Sequence, residues 1–82
     1  MVISFGFENR PPHLRPMKIF DVRDLSHDTK SPEFQAKQQE ISDWVNEHPY
    51  EHCAIGCKKG QHRSVVLARN VAKATRQTHI RK

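Results

Sequence analysis

Short apolar runs alternate with segments of helical periodicity along this chain, and that alternation constrains the fold more than any other feature. Runs rich in β-branched and aromatic residues predict strands over residues 2–7, 18–22, 50–56 and 78–81. Helical spacing predicts one helix over residues 31–47 and another from residue 62 or 63 to about residue 76. The order β-β-α-β-α-β predicts a small α/β domain of about four strands and two helices, with a partly parallel sheet.

The two predicted helices carry further local signals. Ser31 is a favourable N-cap and Pro32 suits the first helical position, while Pro49 disfavours helical backbone at the residue before it. In the second predicted helix, the side expected to be buried holds Leu67, Val71 and Ala74.

Length and composition indicate how many domains the chain forms and which classes of protein it does not belong to. With 82 residues, the chain is expected to form a single domain over residues 1–82 with a thin core. No apolar run is long enough to cross a membrane and the N-terminus lacks signal-peptide features, so a cytoplasmic protein without membrane contact is expected. The two cysteines do not make a disulfide framework, and no cofactor is expected.

Four potential metal ligands, His52, Cys53, Cys57 and His62, lie close together in the sequence. Zinc would require them to converge on one point. Alternation along a strand directs His52 and Cys53 to opposite faces, so no metal site is predicted.

The positive charge is concentrated in the C-terminal part of the chain. Residues 57–82 contain eight of the 14 Lys and Arg residues and none of the 9 Asp and Glu residues. Such a block indicates an anionic partner, although a solvated basic face is the alternative. If the partner is RNA, its backbone is expected to contact Arg69, Lys73, Arg76, Arg81 and Lys82.

A loop between the third predicted strand and the second predicted helix has the spacing Cys, five residues, Arg, Ser. A tight loop that enters a helix directs backbone N–H groups inward, and the helix N-terminus adds partial positive charge. Arg63 can form paired hydrogen bonds to a phosphate, and Gly60 permits close approach of the backbone. The predicted phosphate-binding residues are Cys57, Lys58, Lys59, Gly60, Gln61, His62, Arg63 and Ser64.

The same spacing is similar to the signature of cysteine-dependent phosphatases. In that alternative, Cys57 is the nucleophile, Arg63 holds the phosphate, and Asp21 or Asp24 supplies the proton. The favoured interpretation makes Cys57 a small buried residue beneath a binding loop. Asp21 and Arg23 form either an ion pair that braces this loop or a contact with the ligand.

Three segments resemble the C-terminal domain of the RNase adapter protein RapZ: residues 3–7, residues 20–25 and residues 55–65. The resemblance implies a domain that binds RNA and a phosphorylated amino sugar and presents regulatory RNA to an endoribonuclease. The chain departs from the family pattern at Lys58 and Lys59, which stand where the family usually has Thr-Gly. It also lacks the P-loop motif of the family's N-terminal domain, so nucleotide hydrolysis is not carried over.

The sequence therefore predicts a phosphate-binding, adapter-like module that binds RNA or a phosphorylated metabolite through the Cys-x5-Arg-Ser loop. Its partners would include RNA or a phosphorylated small molecule, together with an endoribonuclease or other protein, and an oligomer is compatible with this role. A loop that only contacts an acidic protein partner is a further alternative.

Overall fold

A computed structural model describes residues 1–8, 18–25, 28–58 and 62–81. The described residues form one four-stranded sheet and two helices, in agreement with the predicted α/β class. The elements are β1 (Val2–Gly6), β2 (Lys18–Asp21), α1 (Pro32–Glu47), β3 (Cys53–Cys57), α2 (Arg63–Thr75) and β4 (His79–Arg81).

The sheet has the strand order β2-β3-β1-β4, and all three pairings in it are parallel. The connections through α1 and α2 both advance across the sheet in the same direction. Parallel crossovers are almost always right-handed, so both helices lie on the same face. The main core accordingly joins Val2, Ile55 and Cys57 of the sheet to Phe34 of α1 and Leu67 of α2.

Helix α1 begins and ends where its local signals predict. The Ser31 hydroxyl accepts a hydrogen bond from the backbone N–H of Phe34 at 3.2 Å, and Pro32 occupies the first turn. His48 ends the helix, and its backbone N–H bonds to the Trp44 and Val45 carbonyls. The predicted third strand starts too early, because the chain turns after His48 and leaves Tyr50 97% exposed.

The opposite face of the sheet carries a second apolar cluster, which contains Ile3, Phe5 and Ala54 with Phe7 packed against them. Gly56 lies opposite Phe5 in the parallel register. An added Cβ at Gly56 would lie 2.5 Å from the Phe7 ring and 2.6 Å from the Phe5 ring. The absence of a side chain at Gly56 therefore makes room for both aromatic rings.

Helix α2 buries Leu67, Ala68, Val71 and Ala72 against the sheet. The prediction that Ala74 lies on the buried side is wrong: Ala74 is exposed, and Ala72 is buried instead. The helix ends at Arg76, which has the left-handed φ of 58° and donates its N–H to the Ala72 carbonyl. Among the described residues, neither helix has the length and apolar character needed to span a bilayer.

Candidate functional site

The four parallel strands all end at the same edge of the sheet, and α2 begins there. Gly6 and Asp21 sit beside the end of β3 through their pairings with Cys57 and Gly56. The carboxyl edge of a parallel sheet is where α/β domains usually bind ligands. The fold thus brings the strand–loop–helix segment and the end of β2 to one place.

Cys57 and Ser64 meet beneath the start of α2. The Cys57 sulfur lies 3.2 Å from the Ser64 hydroxyl oxygen, and either group can donate to the other. Cys57 is 2% exposed and Ser64 is fully buried. The contact ties the last residue of β3 to the first turn of α2, and it leaves the thiol enclosed in this conformation.

Arg63 does not extend freely over the loop. Its Nη1 donates to the backbone carbonyl oxygens of Arg23 at 2.5 Å and Leu25 at 2.9 Å. These bonds join the start of α2 to the segment that follows β2. The expected pair of hydrogen bonds to a phosphate therefore cannot use Nη1 while both contacts persist.

The Nε of the same guanidinium is buried and has no hydrogen-bond partner among the described residues. An unpaired buried donor costs on the order of 1–3 kcal/mol, and more when the group is charged. Arg63 also lines an open pocket of about 410 Å³ together with Thr29, His62 and Val66. In the Arg63 guanidinium, Nη1 therefore donates to two carbonyl oxygens, while Nε–H donates to none.

Asp21 and Arg23 are paired in the structure. The Arg23 Nη2 lies 2.6 Å from Asp21 Oδ2, and both its Nε and its backbone N–H donate to Oδ1. Arg23 also stacks over the Phe7 ring at 4.2 Å. The hydrogen bonds from Arg23 lower the pKa of Asp21, so this carboxyl is ionised at neutral pH and does not carry the proton required of a phosphatase general acid.

Part of the predicted loop lies outside the described residues, namely Lys59, Gly60 and Gln61, and so does Lys82. The inward arrangement of loop amides therefore stays a prediction. Lys58 is exposed, with its ammonium 3.7 Å from Glu8, and its carbonyl accepts the backbone N–H of Glu8. His62 occupies the N-cap position of α2, where its side chain makes no capping hydrogen bond.

Two of the predicted RNA-contacting residues lie on α2, one caps its C-terminal end, and one lies on β4. Arg69, Lys73 and Arg76 are exposed, and Arg81 is exposed at the end of β4. In the part of the chain described, no carboxylate forms an ion pair with any of the four. We call this surface the basic face; among the described residues, none of its four cations is paired with a carboxylate.

Several contacts near the start of α2 and between β1 and β4 involve residues that no predicted binding role covered; of these, only Ser4 is brought near the loop by the family resemblance. Leu25 takes part through its backbone carbonyl, and Thr29 lines the pocket beside Arg63. Between β1 and β4, His79 Nε2 lies 2.8 Å from the Ser4 hydroxyl oxygen. No motif predicts these contacts, because each depends on which segments the sheet brings together.

No group of three His, Cys, Asp or Glu side chains within residues 1–8, 18–25, 28–58 and 62–81 could hold a metal ion. Burial raises the pKa of the Cys53 thiol to about 12. Thiolate is the form that binds metals and attacks electrophiles, so Cys53 is a structural residue of the core.

These observations define a small α/β domain whose parallel sheet presents a strand–loop–helix connection at its carboxyl edge. A family model described as the RapZ C-terminal domain matches residues 46–82. The match covers somewhat less than half of the chain, from the end of α1 through β4, and it confirms the resemblance for this part. No curated protein and no solved structure matches the chain significantly.

Proposed function

We propose that this chain is a phosphate-binding module that engages the RNA backbone in an adapter-like role. In this proposal, residues 1–82 act as one unit in the cytoplasm. The observation that carries it is the buried and unpaired Nε of Arg63, at the start of α2 and beside an open pocket. A phosphate oxygen is an acceptor that would satisfy this donor with a charge-assisted hydrogen bond.

The start of α2 supports the same ligand. Its first turn contains no acidic residue, and the His62 side chain does not cap it. By contrast, α1 has both a side-chain cap from Ser31 and an acidic residue, Glu33, in its first turn. The dipole of a helix favours an anion at its N-terminus, and at α2 the side chain of the N-cap residue makes no capping hydrogen bond there. Asp21 and Arg23 would brace this site through the Arg63–Arg23 contact.

The basic face extends the site toward a polyanion. Arg69 and Lys73 lie four residues apart on α2, so they share one side of the helix. No aromatic residue interrupts these positions, so contact with phosphates, rather than base stacking, is the mode of binding proposed. A single phosphorylated metabolite would need the start of α2 alone, whereas RNA would need the basic face as well.

The phosphate site is tested by titrating isotopically labelled protein with inorganic phosphate against chloride at constant ionic strength. We expect the Nε–H resonance of Arg63 and the amides of His62 and Ser64 to shift together. Arg69→Ala is the matched control, since it removes a guanidinium from the same helix and is expected to leave these shifts in place. Unchanged Arg63 and Ser64 resonances at high phosphate would overturn the proposed site.

RNA binding is tested by the salt dependence of affinity for a single-stranded oligonucleotide. Each phosphate contact contributes a log–log slope of about −0.7 for single strands. The double variant Arg69→Ala, Lys73→Ala should bind more weakly and lower the magnitude of the slope by about 1–1.5. A flat salt response of the parent protein would exclude the electrostatic interaction with RNA. Partner capture with and without nuclease separates RNA binding from direct contact with a protein.

A further inference from the structure

Ser4 and His79 form a polar contact between β1 and β4. The Ser4 hydroxyl oxygen lies 2.8 Å from His79 Nε2, and Ser4 is fully buried. His79 is half-buried, and its Nδ1 has no hydrogen-bond partner among the described residues. The His79 imidazole is therefore hydrogen-bonded to Ser4 through Nε2, and its Nδ1 can bind a ligand.

The charges that face this imidazole are positive. Arg81 follows two residues later on β4, which places it on the same face of the strand as His79. From α2, which covers β1 and β4, Arg69 is the charged neighbour, whereas β1 presents the uncharged Ser4. Burial lowers the pKa of His79, and the positive charges of Arg69 and Arg81 lower it further.

Neither arginine is neutralised within the described part of the chain. Arg69 and Arg81 are both exposed, and neither forms a hydrogen bond or an ion pair there. Two guanidinium groups beside an imidazole repel a proton on that ring. An anion placed between them would reverse the sign of the local field and favour the protonated imidazole.

We propose that Arg69, His79 and Arg81 form a second phosphate site, which binds a phosphodiester of the RNA backbone together with one proton. The proton comes from solvent and is taken up by the imidazole. With both ring nitrogens protonated, Nε2–H donates to the Ser4 hydroxyl and Nδ1–H donates to a phosphate oxygen. Ser4 is a positioning residue that selects which nitrogen faces the ligand.

This inference rests on the proposed RNA binding, and it makes a separate claim about pH. The RNA-bound pKa of His79 exceeds the free value, so affinity rises as the pH falls through the bound value. A rise of one pKa unit on binding corresponds to about a tenfold gain in affinity at low pH. The proposal therefore attributes the tighter binding of RNA at low pH to protonation of the His79 side chain.

The test measures oligouridylate affinity between pH 5.5 and 8 for the parent protein, for His79→Gln and for His48→Gln. His48 stacks on Trp44 at a centroid distance of 4.3 Å and is the matched control. We expect tighter binding at pH 5.5 than at pH 8 for the parent and for His48→Gln, by up to about tenfold for each unit by which RNA raises the pKa of His79, and a clearly smaller gain for His79→Gln. Ser4→Ala should reduce the gain without removing binding.

A second measurement uses the parent protein only and does not depend on a variant that folds. The imidazole resonances of His79 are titrated with pH in the free protein and in saturating oligouridylate, and the pKa should be higher with RNA. RNA binding with an unchanged His79 pKa, or an equal pH dependence in His79→Gln, would overturn this site and leave the proposed function standing. Absence of RNA binding at every pH would overturn both.

Discussion

The guanidinium of Arg63 donates from Nη1 to the backbone carbonyl of Arg23 at 2.5 Å, across 40 positions of sequence. A second bond from the same nitrogen reaches the Leu25 carbonyl at 2.9 Å. The first residue of α2 therefore fixes the segment after β2, where Arg23 in turn pairs with Asp21 at the end of the strand. A residue proposed to bind phosphate consequently has a structural role as well.

Replacement of Arg63 by alanine should therefore destabilise the fold even without any ligand. Two carbonyls lose a charged donor, so the free energy of unfolding should fall by about 1–3 kcal/mol. Urea unfolding followed by Trp44 fluorescence measures this change. Arg69→Ala removes an exposed arginine that has no hydrogen-bond partner among the described residues. The free energy of unfolding of this variant should stay within about 0.5 kcal/mol of that of the parent protein. Equal effects of the two variants would show that the Arg63 contacts contribute nothing to stability.

The order of helices and strands was predictable because each element carries a local signal. Ser31 and Pro32 identify the start of α1, and the β-branched residues of β1 identify a strand. The crossovers through α1 and α2 account for the common direction of β2, β3 and β4, whereas the direction of β1 is seen only in its parallel pairings with β3 and β4. Ala74 was misplaced because alanine fits either side of a helix, so its type does not reveal which side faces the sheet.

The strand-to-helix connection around Cys57 and Ser64 was predictable in position, but the contacts of its side chains were not. The Cys57–Ser64 spacing places both residues where a strand passes into a helix, and the two side chains do meet. The acceptors of Arg63 are backbone carbonyls, which every residue possesses and no motif distinguishes. The Ser4–His79 contact depends on the pairing of β1 with β4, between residues 75 positions apart.

Substitution of Gly56 by alanine should destabilise the protein because two aromatic rings occupy the space of the new methyl group. The added Cβ would lie 2.5 Å from the Phe7 ring and 2.6 Å from the Phe5 ring, closer than carbon atoms can approach. Extra volume in a packed core lowers the free energy of unfolding by about 1–3 kcal/mol, and thermal or urea unfolding measures this decrease. In a Phe7→Leu background the cost of Gly56→Ala should be smaller. An equal cost in both backgrounds would exclude the Phe7 ring as an obstacle.

The left-handed backbone of Arg76 predicts a stabilising substitution. Arg76 has a φ of 58°, a conformation that glycine adopts without steric cost at the end of a helix. Arg76→Gly should raise the free energy of unfolding by on the order of 1 kcal/mol. Ala74 is exposed and lies two residues earlier, within α2, so Ala74→Gly should instead lower the free energy of unfolding by roughly 0.5–1 kcal/mol. A loss of stability in Arg76→Gly would contradict the assignment of strain to this residue.

The buried thiol of Cys53 predicts a loss of stability in alkaline solution. Burial raises its pKa to about 12, whereas the unfolded chain holds this thiol at an ordinary pKa near 8.5. Between these values the folded state binds more protons than the unfolded state, so its stability falls as the pH rises. The slope is at most about 1.4 kcal/mol per pH unit. Urea unfolding at pH 8 and pH 10 should show this extra loss for the parent protein and not for Cys53→Ala. Parallel losses in both proteins would show that Cys53 does not titrate in this way.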